Sequence, residues 1–311
     1  MPPAARWTTR PPRALVLLIA LAACGNNSVA SKVASLQTSG TTAQGDGTPP
    51  DPAVTPPPRE PSAREPASLQ PVGERVVTRA TRAGVTTSTL VLRPSTRPTH
   101  VVVLLAGGSG KLGLSAKGLG SNAHDNFLIR TREQFAAAGF VVAVVDAPSD
   151  RPEGLEGFRG SSAHADDLGK IVSALRDEFG VEVWIVGTSR GAISAANAAA
   201  RLGPRGPDGL ILLSAITAGK HETLAEVKLE TIKVPTLVVQ SRGDGCAASP
   251  PSGARALVRR LRHAAIHRLL FVGKASRREE TDPCEALTRH GYADIEAAVV
   301  EALVAFVRAP A

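Results

Sequence analysis

A serine stands between two glycines in the sequence GTSRG at 187–191, and its spacing is that of a nucleophile. In a G-x-S-x-G arrangement, a serine hydroxyl is presented at a sharp turn between a strand and a helix. The neighbouring sequence agrees with such a turn, because the apolar run at 183–186 precedes it and an alanine-rich stretch follows. Glycine is required on both sides because the chain approaches itself closely there. The motif therefore predicts that Ser189 attacks an electrophilic carbon.

A nucleophilic serine needs a base that accepts its proton and an acid that orients the base. Asp244 follows the strand-like run at 236–240, and His290 lies between the last strand-like run and the C-terminal helical stretch. The order serine, acid, histidine is the one that accompanies a G-x-S-x-G turn. We therefore predict that His290 transfers the proton and Asp244 holds the imidazole. The alternatives are a solvated turn carboxylate and a surface or helix-capping histidine.

A glycine-rich loop, with the sequence AGGSG at 106–110, follows the apolar run at 100–105. In acyl-transfer enzymes such a loop supplies one N–H to the oxyanion, and the residue after the nucleophile supplies the other. We predict Gly108 as the loop donor, with Ser109 as the alternative, and Arg190 as the second donor. A phosphate-binding loop is excluded, because the residue after its lysine is leucine rather than serine or threonine.

Short runs of Val, Ile and Leu alternate with helical stretches from about residue 76 to the C-terminus. The patterns predict strands at 76–80, 85–92, 100–105, 140–145, 183–186, 209–213, 236–240 and 268–272. They predict helices at 126–138, 163–179, 191–202, 251–262 and 292–307. Continuous apolar runs are typical of strands buried on both faces. We therefore predict an α/β fold, with a mostly parallel eight-stranded sheet, helices on both faces and an antiparallel hairpin at the start.

The first 23 residues have the features of a bacterial export signal, with arginines before an apolar run at 14–21. That run is too short to span a bilayer as a stable helix. The sequence LAAC at 21–24 resembles the lipobox of bacterial lipoproteins, which implies that Cys24 is acylated. By the same resemblance, Gly25 favours the outer membrane, facing the periplasm. The alternative is an ordinary secreted protein with an incidental cysteine.

A second segment, 24–72, is predicted to be a tether between the lipid and the folded domain. It contains no aromatic residue after residue 25, and prolines crowd its second half. Such a segment cannot bury enough apolar surface to fold. The remaining residues, 73–311, are therefore assigned to one domain.

With Cys24 assigned to lipid, Cys246 and Cys284 remain as an even pair in an oxidising compartment. Cys246 follows Asp244 by two residues, and Cys284 precedes His290 by six. A bond between them would fix the acid loop to the histidine loop. The alternative is two buried free thiols.

The composition argues against nucleic acid as a partner. The net charge of +8 includes three arginines of the export signal, and aromatic residues make up only 3% of the chain. Nucleic-acid binding is therefore not expected, because basic patches with interleaved aromatics are missing.

His164, Asp166 and Asp167, which could be imagined as metal ligands, begin a predicted helix, where acidic residues are favoured by the helix dipole. We accordingly predict neither a metal nor a cofactor.

The motif at 187–191, Asp244, His290 and their order resemble the α/β-hydrolase superfamily, from about residue 76 to the C-terminus. The sequence DAPSD at 146–150 is similar to a branch of exported bacterial hydrolases. Ala106 departs from the pattern, because many relatives have a histidine before the oxyanion glycines. The resemblance implies a cofactor-independent serine hydrolase that acts on a carboxylic ester, or on a thioester or amide, through an acyl-enzyme.

The substrate is expected to be small, or the exposed end of a polymer, because the interval at 214–233 is too short for a large lid domain. The lipid anchor would place the enzyme at the membrane of the cell envelope. Two other functions remain open at this point, since fold alone does not fix function. One is a peptidase of the same fold, and the other is a catalytically silent binding or scaffold lipoprotein.

Overall fold

A computed structural model describes residues 72–220, 222–273 and 281–309. Three predictions fall on residues outside the described ones: the signal peptide, the tether up to residue 71 and the lipidation of Cys24. No helix within the described ranges is long and apolar enough to cross a membrane.

Eight strands form one sheet, in the order β1-β2-β4-β3-β5-β6-β7-β8. The strands are β1 (Val72–Arg82), β2 (Val85–Arg93), β3 (His100–Leu105), β4 (Phe140–Val145), β5 (Val183–Thr188), β6 (Gly209–Leu213), β7 (Thr236–Ser241) and β8 (His267–Val272). The pairs β1–β2 and β2–β4 are antiparallel, and all the others are parallel. The predicted sheet and its opening hairpin are therefore confirmed, although β1 is longer than the predicted strand at 76–80.

Within the described residues, six α-helices cover the sheet on its two faces. They are α1 (Phe127–Arg130), α2 (Arg132–Ala137), α3 (Ser162–Phe179), α4 (Gly191–Leu202), α5 (Pro251–Arg260) and α6 (Glu296–Arg308). Buried residues of α3, α4 and α5 form one core with the sheet, and those of α1, α2 and α6 form the other. In β3, Val101 and Val103 belong to the first core, whereas Val102 and Leu104 belong to the second. This alternation explains why the strand is apolar at every position.

Two predicted helices differ from the structure. The helix expected at 126–138 is divided at Thr131, whose hydroxyl donates to the Phe127 carbonyl at 2.7 Å and competes with the helical ladder. The helix expected at 292–307 begins only at Glu296, because Tyr292 and Asp294 have φ angles of 64° and 69°. Such angles are incompatible with a right-handed helix.

The described part of the segment between β6 and β7 carries only two short 3-10 turns, Leu224–Glu226 and Leu229–Thr231. This segment is where a lid was considered from the sequence. The described residues of this segment thus form no lid domain at the carboxyl edge of the sheet. In parallel α/β sheets this edge is the usual place for a functional site.

Candidate active site

Ser189 occupies a strained turn between β5 and α4, with a φ of 55°. A Cβ added at Gly187 would come within 2.3 Å of the Gly191 carbonyl oxygen, and one at Gly191 within 2.1 Å of the Leu105 carbonyl oxygen. Both contacts are far below van der Waals distance, so neither position accepts a side chain. The Ser189 amide donates to the Leu213 carbonyl at 2.9 Å, which fixes the turn against β6.

Ser189, His290 and Asp244 are brought together at the carboxyl edge of the sheet. The Ser189 Oγ lies 2.9 Å from His290 Nε2, and His290 Nδ1 lies 3.1 Å from Asp244 Oδ2. The side chains of His290 and Asp244 are 4% and 0% exposed. A carboxylate that accepts from Nδ1–H leaves Nε2 free to accept the serine proton. The arrangement can therefore transfer a proton from the Ser189 hydroxyl.

Two buried side chains that the sequence analysis missed complete the surroundings of Asp244. Gln240 Nε2 donates to Asp244 Oδ2 at 2.8 Å. The Ser249 hydroxyl lies 2.8 Å from the same oxygen and 2.9 Å from His290 Nδ1. Because a carboxylate only accepts, the Ser249 hydroxyl donates to Asp244 and its oxygen accepts from His290. Gln240 carries a sequence signal, as a polar residue at the end of an apolar strand, whereas Ser249 carries none.

The loop that carries His290 is anchored in the core by Tyr292. The Tyr292 hydroxyl donates to the Val239 carbonyl and accepts from the Ser214 hydroxyl, each at 3.0 Å. Burial raises the pKa of Tyr292, so the phenol stays protonated. Arg130 adds hydrogen bonds from its guanidinium to the Ala286 and Gly291 carbonyls. The histidine is thus held from both ends of its loop.

A disulfide joins Cys246 to Cys284. Cys246 is buried, and its backbone N–H donates to Asp244 Oδ1 at 2.9 Å. Cys284 lines the cavity above Ser189. The bond therefore connects the loop of the acid directly to the loop of the histidine.

The glycine-rich loop after β3 lies directly against the nucleophile. An ideal Cβ on Gly107 would be 2.9 Å from the Ser189 Cβ. The Gly110 amide donates to the Gly107 carbonyl at 3.1 Å, and this closes a turn in which Gly108 has a φ of 57°. Gly108 and Ser109, the two predicted loop donors, both line the same cavity as Ser189.

The side chains of Asp146 and Arg190 make hydrogen bonds and an ion pair near this loop. Asp146 accepts hydrogen bonds from the Leu112 and Leu114 amides at 2.6 and 2.7 Å, and so fixes the end of the loop. The Arg190 guanidinium lies 3.3 Å from the Glu222 carboxylate. Arg190 directly precedes the first turn of α4. Its backbone N–H stays the predicted second donor to the oxyanion.

The cavity above Ser189 has a volume of about 310 Å³. Its walls are the glycine-rich loop, the start of α1, the turn around Ser189 and the histidine loop. The charged residues among them are Lys111, Asp125 and Glu285, and the apolar ones include Ala106, Leu112, Ala123, Phe127 and Ala286. This volume lies at the small end of the range for ligand pockets, about 300 to 1,000 Å³.

No group of three or more His, Cys, Asp or Glu side chains within the described ranges is placed to hold a metal ion. His164, considered as a ligand from the sequence, is buried 5.4 Å from the Phe158 ring. Neither of its ring nitrogens has a hydrogen-bond partner among the described residues. Burial, together with the charges of Arg159 and Arg82, lowers the pKa of His164 to about 3. His164 is therefore neutral in the folded protein at neutral pH.

This buried histidine predicts that the protein loses stability in mild acid. The unfolded chain takes up a proton at His164 near pH 6.5, whereas the folded chain does so only near pH 3. The stabilisation is thus complete above about pH 6.5 and falls by about 1.4 kcal/mol per pH unit below it. We expect urea unfolding at about pH 4.5 to show a loss of about 2 to 3 kcal/mol relative to about pH 7.5 from this residue.

The substitution His164→Leu should remove that part of the pH dependence. His267→Leu is the matched control, because His267 is exposed on β8. An acid-induced loss of stability that is equal in His164→Leu and wild type would contradict the prediction.

The sheet order, the helices on both faces and the turn around Ser189 define the α/β-hydrolase fold. A lidless α/β serine hydrolase from Xanthomonas campestris aligns with 76% of this chain and 97% of its own length, with 16% identity and a TM-score of 0.50. A thermostable carboxyl esterase from Bacillus coagulans aligns with 76% of this chain and 98% of its own, with 15% identity and a TM-score of 0.51.

An acylaminoacyl peptidase from Pyrococcus horikoshii also shares the fold, with 14% identity and a TM-score of 0.53 over 77% of this chain. The chain spans only 42% of that peptidase's length. No protein-family model matches the sequence, and no curated protein matches it. At identities this low, the structural similarity establishes the fold alone and not the function.

Proposed function

We propose that this protein is a serine hydrolase that cleaves a carboxylic ester through an acyl-enzyme. The observation that carries the proposal is the continuous hydrogen-bonded chain from Ser189 Oγ through His290 to Asp244. The hydrogen-bonded series ends at Ser189, which lies on a strained turn. Ser189 also lines a cavity large enough for a small substrate. A protein that only binds would have no use for a serine whose proton has a prepared acceptor.

The proposed reaction begins when the Ser189 oxygen attacks the ester carbonyl carbon while His290 Nε2 takes the hydroxyl proton. Asp244 stabilises the resulting imidazolium through its hydrogen bond to Nδ1. The carbonyl oxygen becomes negatively charged and accepts hydrogen bonds from the backbone N–H groups of Arg190 and of the loop at 106–110. The imidazolium then donates its proton to the departing alcohol. Water repeats the sequence on the acyl-enzyme and releases the acid.

Apart from water, the groups that this reaction needs are all side chains and backbone amides of the protein itself. Ester cleavage by a serine nucleophile requires no cofactor, since the alcohol leaves with a proton from the imidazole. The structures with the same fold include esterases and a peptidase. An ester is our first choice, because an alcohol is a better leaving group than an amine and the cavity is small and lidless.

A panel of chromogenic substrates tests the proposal. We expect p-nitrophenyl acetate and butyrate to be hydrolysed, with a burst of product equal to the active sites if deacylation is slow. The cavity volume of about 310 Å³ predicts that kcat/KM falls by at least about ten-fold for a long-chain ester.

The corresponding p-nitroanilides are the second arm of the panel. Faster cleavage of anilides than esters would replace the ester proposal by the peptidase alternative. No turnover of any substrate by folded, oxidised protein would favour the silent binding protein.

A further inference from the structure

Arg159 is a buried arginine beneath the glycine-rich loop, and the proposed reaction does not use it directly. Arg159 is only 1% exposed, and such deep burial is rare for an arginine. No hydrogen bond that the structure describes for its guanidinium goes to a carboxylate. Through space, the charge of Glu222 raises the pKa of Arg159 and that of Arg190 lowers it. A buried cation without a hydrogen-bonded anion is costly, so its position calls for an explanation.

The guanidinium joins the two elements that carry the candidate oxyanion donors. Arg159 Nη2 donates to the Gly108 carbonyl at 3.1 Å and lies 3.4 Å from the Ala106 carbonyl. Arg159 Nη1 donates to the Ser194 hydroxyl at 3.0 Å. Ser194 belongs to α4, the helix that follows Ser189, and the other two acceptors belong to the loop after β3. One side chain therefore bridges the loop and the helix.

These contacts also fix how the loop amides are oriented. In a trans peptide the C=O and the following N–H point in opposite directions, and no described peptide is cis. Because the Gly108 carbonyl points to the buried Arg159, the Ser109 N–H is directed away from the interior. The Ala106 carbonyl has the same effect on the Gly107 N–H. Gly108, with its φ of 57°, has no Cβ to restrain this peptide plane, so the restraint must come from another residue.

The positive charge of Arg159 also favours negative charge beside the loop. Burial lowers the pKa of Arg159 to about 10, which still leaves the guanidinium charged at neutral pH. His164 beside it is neutral, as its low pKa requires. A fixed positive charge in a dry environment stabilises negative charge that develops nearby, and this stabilisation is stronger than in water.

We propose that Arg159 is a positioning residue, which holds the loop N–H groups toward the substrate and adds positive potential beneath the oxyanion. The inference rests on the proposed hydrolase function. It assigns to Arg159 a share of transition-state stabilisation without contact to the substrate. Its loss should therefore lower kcat much more than it raises KM.

A pair of substrates that differ only in the carbonyl atom tests this role. Sulfur is larger than oxygen and a weaker hydrogen-bond acceptor, so a thionoester depends less on the oxyanion donors than the matching ester does. For Arg159→Met we expect kcat for the ester to fall by about 10- to 100-fold, with KM within about two-fold. The ratio of ester to thionoester rates should fall by about ten-fold.

A residue with a merely structural role would slow both substrates equally and leave the ratio unchanged, which would overturn the inference. Arg260→Met is the control, because the Arg260 guanidinium also donates to two backbone carbonyls, those of Leu224 and Val227, and to Glu230, in a segment remote from the glycine-rich loop. That control should keep the wild-type ratio.

Arg159→Lys keeps the test valid if Arg159→Met does not fold. A lysine retains the charge but replaces the planar fork by a point charge, so we expect an intermediate ratio. A wild-type ratio in Arg159→Lys would overturn the inference. Wild-type protein that hydrolyses neither substrate would overturn the proposed function itself, whereas an active wild type with insensitive Arg159 variants would overturn this inference alone.

Discussion

Replacing Ser189 with alanine is expected to lower kcat for ester hydrolysis by about 10⁵- to 10⁶-fold, because the acyl-enzyme can no longer form. The folded state should change little. Alanine keeps the Cβ that the φ of 55° already accommodates, and the turn is fixed by the backbone hydrogen bond to Leu213. The free energy of unfolding should stay within about 1 kcal/mol of wild type. Steady-state kinetics and urea unfolding on the same samples measure both effects.

Ser173→Ala is the matched control, because Ser173 is an exposed serine on α3. It should retain wild-type activity after the same purification. Equal activity in wild type and Ser189→Ala would mean that another group performs the reaction. A loss of activity that is accompanied by a large loss of stability would leave the nucleophile unsupported.

Removing the disulfide with Cys246→Ala and Cys284→Ala together is expected to cost about 4 kcal/mol of stability. The bond closes a loop between residues 38 positions apart, and the entropy of the unfolded chain rises when it is removed. Activity should also fall, by about ten-fold or more, because the loops of Asp244 and His290 lose their direct connection.

The fall should appear in kcat more than in KM, since the bond orients the proton-transfer groups. Urea unfolding of the double variant, and of wild type with and without reductant, measures the stability. The reduced wild type should match the double variant. Unchanged stability and unchanged kcat after reduction, with both thiols shown to be free by alkylation and mass measurement, would contradict the prediction.

Much of the site could be predicted from the sequence, because its signals are local. The turn around Ser189 is specified by two glycines whose added Cβ atoms would clash with the backbone. Asp244 could be selected because it follows a predicted strand, and His290 because it lies between the last strand and the last helix. The catalytic roles of these residues remain proposals. The predicted export signal and the lipidation of Cys24 stay predictions, since they lie outside the described residues.

The supporting residues could not be predicted, because their contacts are distant in sequence. Arg159 contacts carbonyls 51 and 53 positions earlier in the chain. In the sequence it is only an arginine in a polar, glycine-containing stretch. Ser249 is separated from His290 by 41 positions, and nothing in its neighbourhood indicates burial.

The wrong start of the last helix has a similar cause. A helical pattern over 292–307 includes Tyr292, but the Tyr292 hydroxyl is bound by Ser214, which follows β6, and by Val239 of β7. That anchor is compatible with a backbone of positive φ and not with a helix at this residue. A tertiary contact thus overrides the local pattern.

Covalent labelling shows directly whether Ser189 is an activated nucleophile. The folded, oxidised protein would be treated with a fluorophosphonate, which reacts with serines that are activated by a neighbouring base, and then digested for peptide mapping. We expect one adduct, on Ser189, and no adduct in the Ser189→Ala protein. A folded wild type that remains unlabelled, or that is labelled at another residue, would contradict this expectation.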